Sequence, residues 1–164
     1  MIFFKKYFEP IATAFTFNAS SAALPSALKC CRNKLGISPK VYSFSIPLGN
    51  TINMDGCCVM MIITTFFFAK SFGLELTPNV IFSLIASVYL LSVGSPAVPM
   101  GALVCVSLLL NQIGIPKESL TLIMGLYPLV AMFMTCTNVA GDGAVTLIVA
   151  KKEGLLDDKV YNGK

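Results

Sequence analysis

The sequence predicts an all-α membrane protein made of two re-entrant helical hairpins and two broken transmembrane helices. Three observations predict it. Of 164 residues, 55% are hydrophobic and only 12% charged, about half the charged share of a soluble globular domain, and the mean hydropathy is +0.78. Between Val41 and Pro116 the charged residues are Asp55, Lys70 and Glu75, too few for a solvated surface. Finally, apolar runs near the ~20 residues that cross a bilayer alternate with shorter ones of the kind found in re-entrant or broken pieces.

Composition also excludes several classes. Without histidine there is no imidazole base and no His-ligated metal. Cys30, Cys31, Cys57, Cys58, Cys105 and Cys136 form two adjacent pairs and two isolated residues. That is no CxxC pattern, and small apolar packing is the expected role. The net charge of +4 comes from basic residues in short loops beside apolar runs, so no nucleic-acid partner is expected. Met1–Tyr7 has its lysines after its apolar residues and lacks a signal-peptide pattern. The start reads as the middle of something longer.

Taken in order, residues 10–38 form the first hairpin, small-residue-rich and interrupted at Asn18-Ala19-Ser20-Ser21-Ala22-Ala23-Leu24-Pro25. Lys29, Arg32, Lys34 and Lys40 follow, with Gly36 and Pro39 as breakers. Residues 41–72 form the first broken span. Its middle, Pro47-Leu48-Gly49-Asn50-Thr51-Ile52-Asn53-Met54-Asp55-Gly56, places a helix break where the bilayer midplane should be. Residues 78–115 form the second hairpin, or two full spans, joined by Ser92-Val93-Gly94-Ser95-Pro96-Ala97-Val98-Pro99-Met100-Gly101. Gly94, Pro96, Pro99 and Gly101 cannot continue a helix, which makes that tip a mobile gate or a static turn. Residues 118–152 form the second broken span, carrying Asn138 and Gly141-Asp142-Gly143, and residues 155–164 a cytoplasmic tail. Basic loops mark the cytoplasmic side for Lys5, Lys6, Lys29, Arg32, Lys34, Lys40, Lys151 and Lys152. Hairpin then broken span occurs twice, and such duplicated, Gly/Pro-interrupted units point to a secondary-transporter binding site.

Asp55 and Asp142 are the acidic residues inside long apolar spans. A carboxylate in hydrocarbon costs at least ~2.5–3.5 kcal/mol, so each is expected to face the interior with a partner. Neither motif carries Lys or Arg beside it. A bound cation is the natural counter-charge, with carbonyl oxygens freed at helix breaks as further ligands; the alternative is a protonated carboxyl that packs. Asn53 and Asn138 offer amides beside those breaks, for ligands or for helix-bridging hydrogen bonds. Ser20 and Ser21 at one tip, and Ser92 and Ser95 at the other, lie where half-helix N-termini suit an anionic group, although small residues also simply let helices approach. An intramembrane aspartyl pair of Asp55 and Asp142 is a third reading, disfavoured by the Asn and Gly around both.

At these motifs the sequence resembles the dicarboxylate/amino acid:cation symporter family, which includes the glutamate transporters. Ile46-Pro47-Leu48-Gly49 with Asn53-Met54-Asp55-Gly56 is similar to its broken seventh span. Ser20-Ser21 with Leu24-Pro25 resembles the first hairpin tip, Ser92-Val93-Gly94 with Val98-Pro99 the second, and Asn138-Val139-Ala140-Gly141-Asp142 with Val149–Gly154 the last span. The resemblance implies an incomplete transport core of the glutamate-transporter-like fold over residues 1–154, the C-terminal part of the transport domain. It implies secondary active symport of a small organic solute, an amino acid or carboxylate, coupled to Na⁺ or to H⁺ by alternating access. A truncated, non-transporting membrane remnant is the alternative. No catalysed reaction and no cofactor are implied; Na⁺ is the coupling ion. A plasma-membrane, multi-pass location and a homotrimer of the full-length protein follow, with the N-terminal scaffold segments missing here. By resemblance Gly49, Asn53, Asn138 and Asp142 form one Na⁺ site, Asn53 and Asp55 contribute to a second, and Thr51, Ser92, Val93 and Ser95 build a third through backbone oxygens. Ser20, Ser21, Val98 and Asn138 face substrate. Ala131 and Met134 stand where acidic amino acid carriers place an aspartate and an arginine. A thioether cannot replace a guanidinium fork, so a solute other than aspartate or glutamate is expected.

Overall fold

A computed structural model describes residues 2–94 and 100–163. Of the tip expected as a gate, Ser95, Pro96, Ala97, Val98 and Pro99 lie outside the described residues. The chain divides into two compact units, one of Met1–Asn53 with Ala131–Lys164 and one of Met54–Val130.

In the first unit, α1 (Ile2–Lys6) leads into α2 (Phe8–Phe17), and α3 (Ser20–Asn33) returns along it. The turn is Asn18-Ala19, with Asn18 in the left-handed region at φ 49°, a conformation that Asn tolerates better than most residues. Ala14, Ala23, Ala27, Cys30 and Cys31 are buried on the facing sides, and their size lets the helices approach closely. None of the six cysteines forms a disulfide, and Cys30, Cys31, Cys57 and Cys105 are buried. Pro25, expected as a breaker, lies inside α3. Its missing N–H leaves the Ser21 carbonyl without the usual helical donor, and the helix continues.

Helix α4 (Pro39–Ile52) starts cleanly, because Ser38 Oγ accepts from the Lys40 N–H at 3.4 Å and Pro39 occupies the first turn. It ends at Asn53, which is extended at φ −87°, ψ 108°. This is the break the sequence predicts. Near the end of the chain, Leu156 makes an antiparallel bridge to Ile37. The expected tail is folded back: Asp157 N–H donates to the Gly36 carbonyl at 2.8 Å. Lys6 Nζ donates to the carbonyls of Lys34 and Val160 at 2.9 and 2.7 Å.

The second unit holds α5 (Asp55–Ser71), α6 (Pro78–Gly94) and α7 (Gly101–Gln112), then a 3₁₀ turn at Lys117–Leu120 and α8 (Thr121–Met124). Gly73 and Gly114, both with φ above +69°, close α5 and α7, where Leu74 N–H reaches back to Ala69 and Ile115 N–H to Leu110. The 12 residues of α7 rise only about 18 Å, short of the ~30 Å hydrocarbon core.

Helix α9 (Tyr127–Lys152) then runs for 26 residues, and α10 (Asp158–Asn162) ends the chain. The last span differs from expectation. It is continuous through Asn138, Gly141, Asp142 and Gly143, and its interruption lies at Gly125-Leu126, ahead of the motif. Packing on neighbouring helices offsets the roughly 1 kcal/mol that a glycine costs a helix interior.

By length and composition, Pro39–Ser71 and Tyr127–Lys152 can each cross a membrane. Phe44, Phe82, Tyr89, Leu90 and Phe133 are exposed, which suits lipid as the solvent rather than water.

Candidate functional site

The first unit assembles its polar centre on two helical faces. On α4, Ile46, Gly49, Asn50 and Asn53 share one side at spacings of three and four; on α9, Ala131, Met134, Thr135, Asn138, Asp142 and Thr146 do the same. Ser45 Oγ and Thr146 Oγ1, 2.9 Å apart, tie the two helices on the side of the carboxylate nearer the α9 C-terminus.

At the α4 break, the Asn53 side chain turns to α9. Its Nδ2 donates to Asp142 Oδ1 at 2.9 Å and to the Asn138 carbonyl at 3.3 Å. Asn138 and Asp142 are each 5% exposed, so this carboxylate sits inside the protein, as expected. A Cβ at position 49 would strike Oδ1 of Asp142; only glycine lets the α4 backbone come this close. Gly49, Asn53, Asn138 and Asp142, named together from the sequence, are therefore neighbours. They offer carboxylate, amide and backbone oxygens around one negative charge, a donor set that suits a hard cation.

The first hairpin tip is tied to the same helix. Thr135 Oγ1 lies 3.1 Å from Asn18 Oδ1 and 2.8 Å from the Ala131 carbonyl, with its proton available to either. Ser20 and Ser21 open α3 immediately after that turn, Ser20 half-buried and Ser21 exposed. Ala131 and Met134 are buried, and they bring no charge to the α9 face. Thr51 is exposed, and its hydroxyl bonds back to the Pro47 carbonyl at 3.0 Å.

Other expected site residues belong to the second unit. Asp55 is exposed at the first turn of α5, so the expectation that both carboxylates face the interior holds for Asp142 and not for Asp55. The partial positive charge of a helix N-terminus stabilises a carboxylate there without burial. Ser92 is buried and donates to the Tyr89 carbonyl at 2.8 Å, and Val93 is exposed. Ser95 and Val98 lie outside the described residues.

Two residues that no motif singles out complete the picture. Tyr7 is fully buried, and its ring lies so close to Gly143 that a Cβ there would meet it at 2.5 Å. Tyr7, Ser20, Asn50 and Asp142 line a common narrow recess. Asn50, a polar residue one step from Gly49 in an apolar helix, was visible in the sequence; Tyr7 gave no signal.

Exposed apolar surface and a helix broken beside a buried carboxylate, with oxygen-bearing groups around it, form a pattern also found in membrane carriers. The chain belongs to the Sodium:dicarboxylate symporter family, whose model matches residues 1–152. It is 35% identical over 133 residues to neutral amino acid transporter A of Bos taurus, covering 81% of this chain and 25% of that one. It is 34% identical over 143 residues to excitatory amino acid transporter 3 of Mus musculus, covering 87% and 27%. With neutral amino acid transporter B(0) of Rattus norvegicus it shares 33% over 133 residues, covering 81% and 24%. The chain thus spans about a quarter of the length of the curated relatives it matches. That family is one of symporters rather than of enzymes.

Proposed function

We propose that residues 1–154 are part of the transport domain of a Na⁺-coupled symporter for a small neutral amino acid or related solute, working by alternating access. The observation that carries this is the buried Asp142 carboxylate, bonded by Asn53 at a helix break and abutted by Gly49. Na⁺ is the coupling ion on this reading, with Gly49, Asn53, Asn138 and Asp142 as its first site; H⁺ is the rival. Asp55 with Asn53, and Thr51 with Ser92, Val93 and Ser95, are proposed as further sites on family resemblance. Ser20, Ser21, Val98, Asn138, Ala131 and Met134 are proposed to face the solute. The uncharged Ala131 and Met134 favour a neutral solute, and two of the relatives above are named as neutral amino acid transporters.

The short α2, α3 and α7 support re-entrant hairpins rather than full spans, since none reaches the ~30 Å of the hydrocarbon core. The plasma membrane, a cytoplasmic C-terminus and a homotrimer of the whole protein complete the proposal.

The test is Na⁺ binding by the purified chain and solute uptake into proteoliposomes, each with choline as the control cation. Na⁺ binding with Na⁺-driven uptake supports the proposal. Binding without uptake assigns the other reading, a membrane remnant that keeps a site and does not transport. A chain that binds no Na⁺ sinks the coupling assignment.

A further inference from the structure

Tyr7 stands at the junction of α1 and α2, with no exposed surface, and its phenol oxygen finds no hydrogen-bond partner among the described residues. Buried hydroxyls without partners are rare, and each calls for an occupant or a role. The ring is held in place by the absence of a side chain at Gly143, one residue beyond Asp142, since any Cβ there would overlap it. The recess it enters is lined by three other oxygen-bearing side chains, Ser20, Asn50 and Asp142, and by apolar groups. Ser20 comes from α3, Asn50 from the α4 face that also presents Gly49 and Asn53, and Asp142 from α9. The recess leaves no room for a water molecule. A bare Na⁺ ion is smaller than a water molecule, and as a hard cation it takes oxygen ligands.

We infer that the Tyr7 phenol oxygen is a ligand, with Asn50 as its neighbour, for the cation held at Asp142. This rests on the cation-site reading of Asp142 and adds to it two residues that line the recess with that carboxylate. Phenol and amide oxygens are neutral, so they complete a coordination shell without adding a second negative charge.

Sodium chloride titrations of the purified full chain in detergent test this, choline replacing Na⁺, followed by calorimetry and by the tyrosine ultraviolet difference spectrum. Tyr7→Phe keeps the ring on Gly143 and removes the oxygen. It is expected to weaken Na⁺ binding about tenfold, the loss of one ligand to a charged group, and to abolish most of the Na⁺-induced difference band. Asn50→Ala is expected to weaken binding in the same direction, and it serves as the second probe should Tyr7→Phe lose its helical circular dichroism. If Tyr7→Phe and Asn50→Ala titrate as the parent does while Asp142→Asn does not bind, the inference falls and the Asp142 site stands. If the parent itself binds no Na⁺, both fall.

Discussion

Asn53 and Asp142, 89 positions apart in sequence, meet through a 2.9 Å hydrogen bond from Nδ2 to Oδ1. It joins a residue that has left its helix to one in the middle of an unbroken helix. The amide thereby fixes one carboxylate oxygen, at the point where α4 gives way to extended backbone.

Asp142→Asn therefore removes the charge and keeps the shape. Na⁺ affinity is expected to fall at least about a hundredfold, because a desolvated cation loses the formal counter-charge of Asp142. Helical content is expected to stay the same. Calorimetric titration alongside circular dichroism checks both; unchanged affinity would make Asp142 a structural residue.

Gly49→Ala tests the close approach. The new methyl meets Oδ1 and Cγ of Asp142, and overpacking of this kind costs about 1–3 kcal/mol. A lowered melting temperature and weakened Na⁺ binding are expected together. Gly125→Ala, with open space around it, is the control and should melt at or slightly above the parent temperature.

Thr146→Val separates packing from binding. It deletes the hydroxyl that pairs with Ser45 and preserves volume. Interhelical hydrogen bonds in membranes average about 0.6 kcal/mol, so a small loss of stability with unaltered Na⁺ affinity is expected. A large drop in affinity would mean that the spacing of α4 and α9 at Ser45 sets the geometry at Asp142.

Ala131→Asp combined with Met134→Arg is expected to move solute preference toward acidic amino acids, since both positions are buried one turn apart on the α9 face. A charged solute left without a partner in a desolvated site forfeits several kcal/mol, more than a hundredfold in affinity. Competition uptake assays in the full-length protein read this out. Micromolar aspartate transport by the unmodified protein would show that its countercharges come from elsewhere.

Much of this architecture could be read from the sequence because breaks in apolar runs are local. Asn18 turns the first hairpin and Asn53 ends α4, and Asn favours non-helical backbone more than most residues do. What could not be read was tertiary. Pro25 looks like a stop, yet it rides inside α3. Gly141 and Gly143 look like a break in the last span, yet Gly143 serves to admit the Tyr7 ring while the helix runs on. Asp55 and Asp142 look equivalent in pattern, and only the fold distinguishes a carboxylate at a helix N-terminus from one buried against Asn53. The partnership of Tyr7 with the far end of the chain has no local signature at all.

The unbroken α9 has an electrical consequence. Its 26 residues extend about 39 Å, more than the ~30 Å hydrocarbon core, so its exposed Lys151 and Lys152 can reach the headgroups. Asp142 lies ten residues before Lys152, about 15 Å down the helix, close to half the core thickness. On the proposed ion-site reading, an ion bound there senses about half of the membrane potential. At ~2.3 kcal/mol per charge per 100 mV, its apparent affinity should change roughly sevenfold for each 100 mV.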